Sequence, residues 1–89
     1  MLSKKLIIIN KLGLHARAAA KFVATAGHFG SEIQVIRDGK RVNGKSILGV
    51  MMLAAGRGRE IEITADGEDE ADALTALETL INDRFGEKD

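Results

Sequence analysis

Asp38-Gly39 restricts this chain more than any other feature, because it lies between the run Ile33-Gln34-Val35-Ile36-Arg37 and the run Lys40-Arg41-Val42. An Asp-Gly connection suits a type I′ turn, whose central residues both need positive φ, so the two runs should return on each other as antiparallel strands. The hairpin also disposes of a look-alike. Gly39 through Ser46 matches the phosphate-loop pattern G-x-x-x-x-G-K-S. With Gly39 in the turn and Lys40 to Val42 in a returning strand, that segment is not free to cradle a nucleotide. Eighty-nine residues also leave no room for the parallel sheet and second metal-binding Asp of such an NTPase.

Two further strands read from pattern. Lys4 to Ile9 is short, apolar and β-branched, and Glu60 to Thr64 alternates strictly, with Ile61 and Ile63 toward a core and the acids toward water. Three segments have helical spacing. Ala16 to Ala26 carries the stripe Ala19, Phe22, Val23, Ala26 and stops at Gly27, expected as a left-handed cap. Ile47 to Ala55 follows Ser46 as N-cap and is expected to end at Gly56, and Asp69 to Phe85 aligns Leu74, Leu77, Ile81 and Phe85 before Gly86. The order is βαββαβα. With no linker or internal repeat, residues 1–89 form one α+β domain: a four-stranded, mainly antiparallel sheet with three helices on one face.

Composition excludes several kinds of chemistry. The absence of Cys removes disulfides, thiolate metal cages and cysteine nucleophiles, and two His without a carboxylate cluster argue against a metal site. A chain this short lacks the walls of a deep substrate cavity, which points to a shallow surface site. No apolar run reaches the ~18 residues of a membrane span, and the N-terminal stretch ends at Asn10, so it reads as a strand and not a signal peptide. The expectation is a cytoplasmic protein without cofactor, nucleic-acid partner or membrane insertion.

The net charge is zero, yet it is unevenly spread. Residues 1–59 hold eleven basic side chains against Glu32 and Asp38, a balance of +9, and residues 60–89 hold eleven acids against Arg84 and Lys88, a balance of −9. Either the basic residues share a face that steers an acidic partner or phosphoryl group, or the two halves pair with each other. Gly27-His28-Phe29-Gly30 imitates an RNA-clamping loop but joins a helix to a strand, with His28 read as surface. Gly56-Arg57-Gly58-Arg59 reads as a flexible basic turn.

The residues suited to chemistry are Leu14-His15-Ala16-Arg17, at the start of the first helix. There the first amides lack intrahelical partners and, with the macrodipole, favour an anion. An imidazole is substantially neutral and nucleophilic at cellular pH, so a phosphoryl group on His15 would meet the amides of Ala16, Arg17 and Ala18 and the Arg17 guanidinium. The plainer reading of His15 is a cap. Ser46 is in the first place an N-cap too, although the helix it opens is apolar all round. Val50, Leu53 and Ala54 share one side, and Leu48, Met51, Met52 and Ala55 the other, so one side should stay exposed as a Met-rich docking patch.

Asn10 to Arg17, Val42 to Ile47 and Gly49 to Ala55 closely resemble HPr, the histidine-containing phosphocarrier family of the bacterial phosphoenolpyruvate-dependent sugar phosphotransferase system. The resemblance covers nearly the whole chain. It implies an open-faced β-sandwich and a monomeric stoichiometric carrier, not an enzyme, that accepts phosphate from enzyme I on His15 and passes it to enzyme IIA domains. It also implies that Arg17 stabilises the phosphoryl group, that Ser46 is the target of an HPr kinase/phosphorylase, and that Ile47, Leu48 and Met51 dock partners, with Met52 beside them. Ala18 stands where proline is common and Leu12 where a polar residue is frequent; sugar uptake and a nitrogen-linked or regulatory branch stay open as alternatives. Two other classes are rivals: a ferredoxin-like regulatory or ligand-binding module with the same element order, and a small acylphosphatase-like enzyme, for which no phosphate loop is evident.

Overall fold

Asp38 and Gly39 both take positive φ, 50° and 80°, and they join strands that run Glu32–Arg37 (β2) and Lys40–Asn43 (β3). The structure is a computed structural model that describes residues 1–88. Its other elements are β1 (Leu2–Ile7), α1 (Ala16–Ala26), α2 (Ile47–Met52), β4 (Glu60–Asp66) and α3 (Glu70–Asn82), followed by a single 3-10 turn over Arg84–Gly86. The sheet order is β1-β4-β2-β3 and every neighbouring pair is antiparallel. β4 therefore slides between β1 and β2, and α1 makes the crossover that connects them. Leu6 and Ile8, Ile33 and Val35, and Ile61, Ile63 and Ala65 point to one side, where they bury against Phe22, Val50, Leu77, Ile81 and Phe85. The three helices cover that face and the other is open, as an α+β open-faced sandwich requires.

The differences from the sequence reading have tertiary causes. β1 starts and ends two residues earlier than Lys4 to Ile9, because β4 runs on to Asp66 and brings Ala65 opposite Leu2. Ile8 is still held, through its amide to Arg59 O at 3.0 Å and its carbonyl from Gly58 N at 2.7 Å. Gly27 is right-handed (φ −67°), not a left-handed cap, since the chain continues through tight turns in which His28 N donates to Thr25 O and Phe29 N to Ala26 O.

α2 stops at Met52, short of Ala55, and the left-handed residue is Ala54 (φ 51°) and not Gly56. The premature turn reverses the expected sides: Ala55 is buried and Ala54 exposed. Two cations from the hairpin take the carbonyls left over at this end, Arg37 Nη1 donating to Leu53 O at 2.9 Å and Lys40 Nζ to Met52 O at 3.2 Å. α3 ends at Asn82 and does not reach Phe85. Arg84 and Phe85 both turn left-handed (φ 55° each), which drives the Phe85 ring into the core, and Lys21 Nζ donates to Phe85 O at 2.6 Å.

Candidate functional site

His15 is the N-cap of α1, with extended backbone, and the first backbone bond of the helix runs from Ala19 N to its carbonyl at 2.8 Å. The amides of Ala16, Arg17 and Ala18 thus precede the helical ladder. Arg17 N donates to His15 Nδ1 at 3.3 Å. Because a backbone N–H only donates, Nδ1 bears the lone pair and the neutral ring carries its proton on Nε2.

That Nε2 lies 2.6 Å from Glu87 Oε2. The other carboxylate oxygen, Oε1, accepts from Asn10 Nδ2 at 3.1 Å, and the same amide group donates to Gly13 O at 2.8 Å. Asn10 is fully buried, and its Oδ1 meets no donor among the described residues. Burial pushes the Glu87 carboxyl up, but hydrogen bonds from His15 and Asn10, together with the positive surroundings that include Lys21, outweigh it, leaving the group below the usual glutamate range.

The imidazole is 28% exposed and borders an open cleft of about 650 Å³ shared with Lys11, Leu12, Ala16, Arg17, Glu87 and Lys88. The Arg17 side chain is exposed and makes no ion pair among the described residues. Ala18 offers only its backbone here, since its side chain is buried in the core. A second cleft, of about 300 Å³, continues from Lys11 and Lys88 to Arg57 and Arg84.

The uneven charge resolves both ways. Lys4 pairs with Glu78 at 2.6 Å across the two halves of the sequence, while Lys11, Arg17, Arg57, Arg84 and Lys88 gather around these clefts. His28 is exposed, as expected.

Ser46 caps α2, its Oγ accepting from Gly49 N at 3.1 Å. Beyond it Ile47, Leu48, Met51 and Met52 are exposed, Leu48 at 68%, while Val50 is buried. These residues do not line the His15 cleft. The two regions meet at Gly13 (φ +66°), where a Cβ would come within 2.5 Å of Ala55 O. Among the described residues no group of three His, Cys, Asp or Glu is placed to hold a metal ion, and no helix is long and apolar enough to cross a membrane.

Residues 2–83 match the family model described as "PTS HPr component phosphorylation site". The chain belongs to the HPr family. It is 59% identical over 87 residues to the phosphocarrier protein HPr of Neisseria meningitidis serogroup A, covering 98% of each chain. Its fold matches the crystal structure of HPr-C-His from Thermoanaerobacter tengcongensis with a TM-score of 0.95 at 48% identity over 99% of both chains. The crystal structure of the HPr dimer from the same organism matches at 0.79, also at 48% identity, over 98% of this chain and 100% of that one. HPr proteins are phosphocarriers of the bacterial sugar phosphotransferase system, so this chain is a stoichiometric phosphoryl carrier and not an enzyme. The ferredoxin-like and acylphosphatase-like rivals fall with that.

Glu87 lies against His15, Asn10 holds Glu87, and Lys21 holds the Phe85 carbonyl just before it; none of the three is legible from the sequence as a site residue. Nothing local marks Glu87, which lies 72 positions from His15 and beyond the Gly86 stop. Asn10 carried a weak signal, as the polar residue that ends an apolar run.

Proposed function

We propose that His15 accepts a phosphoryl group from enzyme I on Nδ1 and delivers it to enzyme IIA domains. The observation that carries this reading is the Arg17 N–H donated to Nδ1 at the start of α1, which keeps a lone pair on the one ring nitrogen that faces the helix amides. In the forward step the Nδ1 lone pair forms an N–P bond, the bond from phosphorus to the donor atom of enzyme I breaks, and its electron pair stays on that donor. The phosphoryl oxygens then take over the Arg17 amide, with the amides of Ala16 and Ala18 and the exposed guanidinium of Arg17 within the same helix turn. Ile47, Leu48, Met51 and Met52 form the surface on which enzyme I and enzyme IIA dock in turn.

Ser46 serves as the regulatory position, phosphorylated by an HPr kinase/phosphorylase. A phosphate there adds a charge that the N-terminus of α2 tolerates and that sits beside the docking residues. The carrier works as a single cytoplasmic domain spanning residues 1–89, a monomer that needs no cofactor. Sedimentation or light scattering at working concentration tests the monomer, since a solved relative is a dimer.

Incubation with phosphoenolpyruvate and enzyme I, followed by mass spectrometry, tests the main step. One acid-labile, base-stable phosphoryl group on His15 is expected, and none on His15→Ala. Equal labelling of that variant would refute the assignment.

A further inference from the structure

The chain after α3 takes a route that the carrier reading leaves unexplained. Arg84 and Phe85 are consecutive left-handed residues, a conformation that non-glycine residues keep only when their surroundings impose it. Here the buried Phe85 ring and the Lys21 bond to Phe85 O impose it. The result is that Glu87 returns over the start of α1, with Oε2 2.6 Å from His15 Nε2 and Oε1 3.1 Å from the buried Asn10 amide.

We propose that Glu87 is a positioning residue for phosphoryl transfer: it keeps the His15 proton on Nε2 and compensates the positive charge that the ring gains when the phosphoryl group is attached. This rests on phosphorylation at Nδ1 as proposed above. When the Nδ1 lone pair forms the N–P bond, the ring becomes an N-phosphoimidazolium that still holds its Nε2 proton. On delivery the N–P bond breaks, the electron pair returns to Nδ1, and a neutral imidazole is left without any proton having moved. Were the Nε2 proton lost in between, the leaving group would be an imidazolate, which departs far less readily. A carboxylate accepting from Nε2–H favours the protonated ring.

The charges around the pair make this role specific. Lys11 on the β1–α1 loop, Arg17 on α1 and Lys88 line the same cleft, Lys21 acts on Glu87 through its charge, and Arg57 and Arg84 lie in the adjoining cleft. All are cations and all oppose a positive ring. Glu87 is the one carboxylate that lines the His15 cleft among the described residues.

The test compares the wild type, Glu87→Gln and Glu87→Asp, each phosphorylated with enzyme I, in the pH dependence of phosphoryl delivery to an enzyme IIA domain. 15N NMR of the phosphorylated ring reports the Nε2 proton directly. The expectation is that Glu87→Gln melts like the wild type and is phosphorylated on His15. Its delivery rate should fall off on the alkaline side about one pH unit earlier, as loss of an adjacent opposite charge implies, and its Nε2 proton should titrate in parallel. Glu87→Asp should recover part of the shift. Coincident pH profiles and coincident nitrogen titrations for the wild type and Glu87→Gln would overturn the role of Glu87 while leaving the carrier reading intact. Wild-type protein without phosphate on His15 would instead overturn the carrier reading itself, and the inference with it.

Discussion

The amide of Leu14 donates to the carbonyl of Ala55 at 3.0 Å, so the residue before His15 is tied to the chain that has just left α2. His15 and the exposed apolar residues of α2 lie at opposite ends of this joint. It closes only because Gly13 has no side chain: a Cβ there would lie 2.5 Å from Ala55 O and 2.7 Å from Gly56 Cα.

Gly13→Ala is therefore expected to destabilise the fold by about 2 kcal/mol or more, from a left-handed backbone combined with a backbone clash. Phosphorylation of His15 should slow as well, because relief of the clash displaces the loop that presents it. Denaturant unfolding together with the initial rate from enzyme I checks both, and a variant as stable as the wild type would show that the loop yields freely.

Arg17→Ala should separate chemistry from folding. Its side chain is exposed and unpaired among the described residues, so the melting temperature should not move measurably. Transfer should fall on the order of tenfold, the worth of about one charge-assisted hydrogen bond. Equal rates would mean that the helix amides hold the phosphoryl group unaided.

Acid should loosen the junction between β2 and α3. The Asp69 carboxylate accepts from Gly30 N at 2.9 Å, from Ser31 N at 3.0 Å and from the Ser31 hydroxyl. The Ser31 hydroxyl first, then the Gly30 amide, hold its carboxyl below the usual aspartate range against a smaller upward push from burial. A folded value below the unfolded one, near ~4 for Asp, gives stability that is present above that pH and is lost as pH falls through the folded value. Asp69→Asn should accordingly be less stable than the wild type at pH 7, with the gap closing as pH drops below about 4. Urea midpoints measured across that range test this, and a gap independent of pH would rule out the charge as its source.

Ser46→Asp should melt within about 0.5 kcal/mol of the wild type, since Asp is as good an N-cap as Ser. Its His15 phosphorylation should nevertheless be slower and more sensitive to salt, because the new charge lies next to the exposed apolar residues proposed to dock partners. A variant as fast as the wild type at both low and moderate salt would reduce Ser46 to a plain cap.

What could be read from the sequence divides along the range of the interactions concerned. The Asp38-Gly39 turn, the limits of α1 and the capping role of Ser46 are set within a few residues, and each appears where local chemistry places it. His15 and Arg17 were legible for the same reason, as neighbours at a helix start. Ala54 in place of Gly56, and the early stop of α3, were not, because contacts with Gly13 and Lys21 decide them. Glu87 was the least legible of all: its place beside His15 depends on the burial of Phe85, a requirement of the whole core.

α2 has only six residues, a length that has no helical stability of its own in water. It is clamped instead, by Ser46 at its head and by Arg37 and Lys40 reaching from the hairpin to its tail. On the docking proposed above, a partner landing on Leu48 or Met52 would meet a finished shape and lose little affinity to ordering it. For a carrier that loads from one protein and unloads to another, as proposed above, this would permit short visits: recognition would be immediate, and leaving would require nothing to unravel.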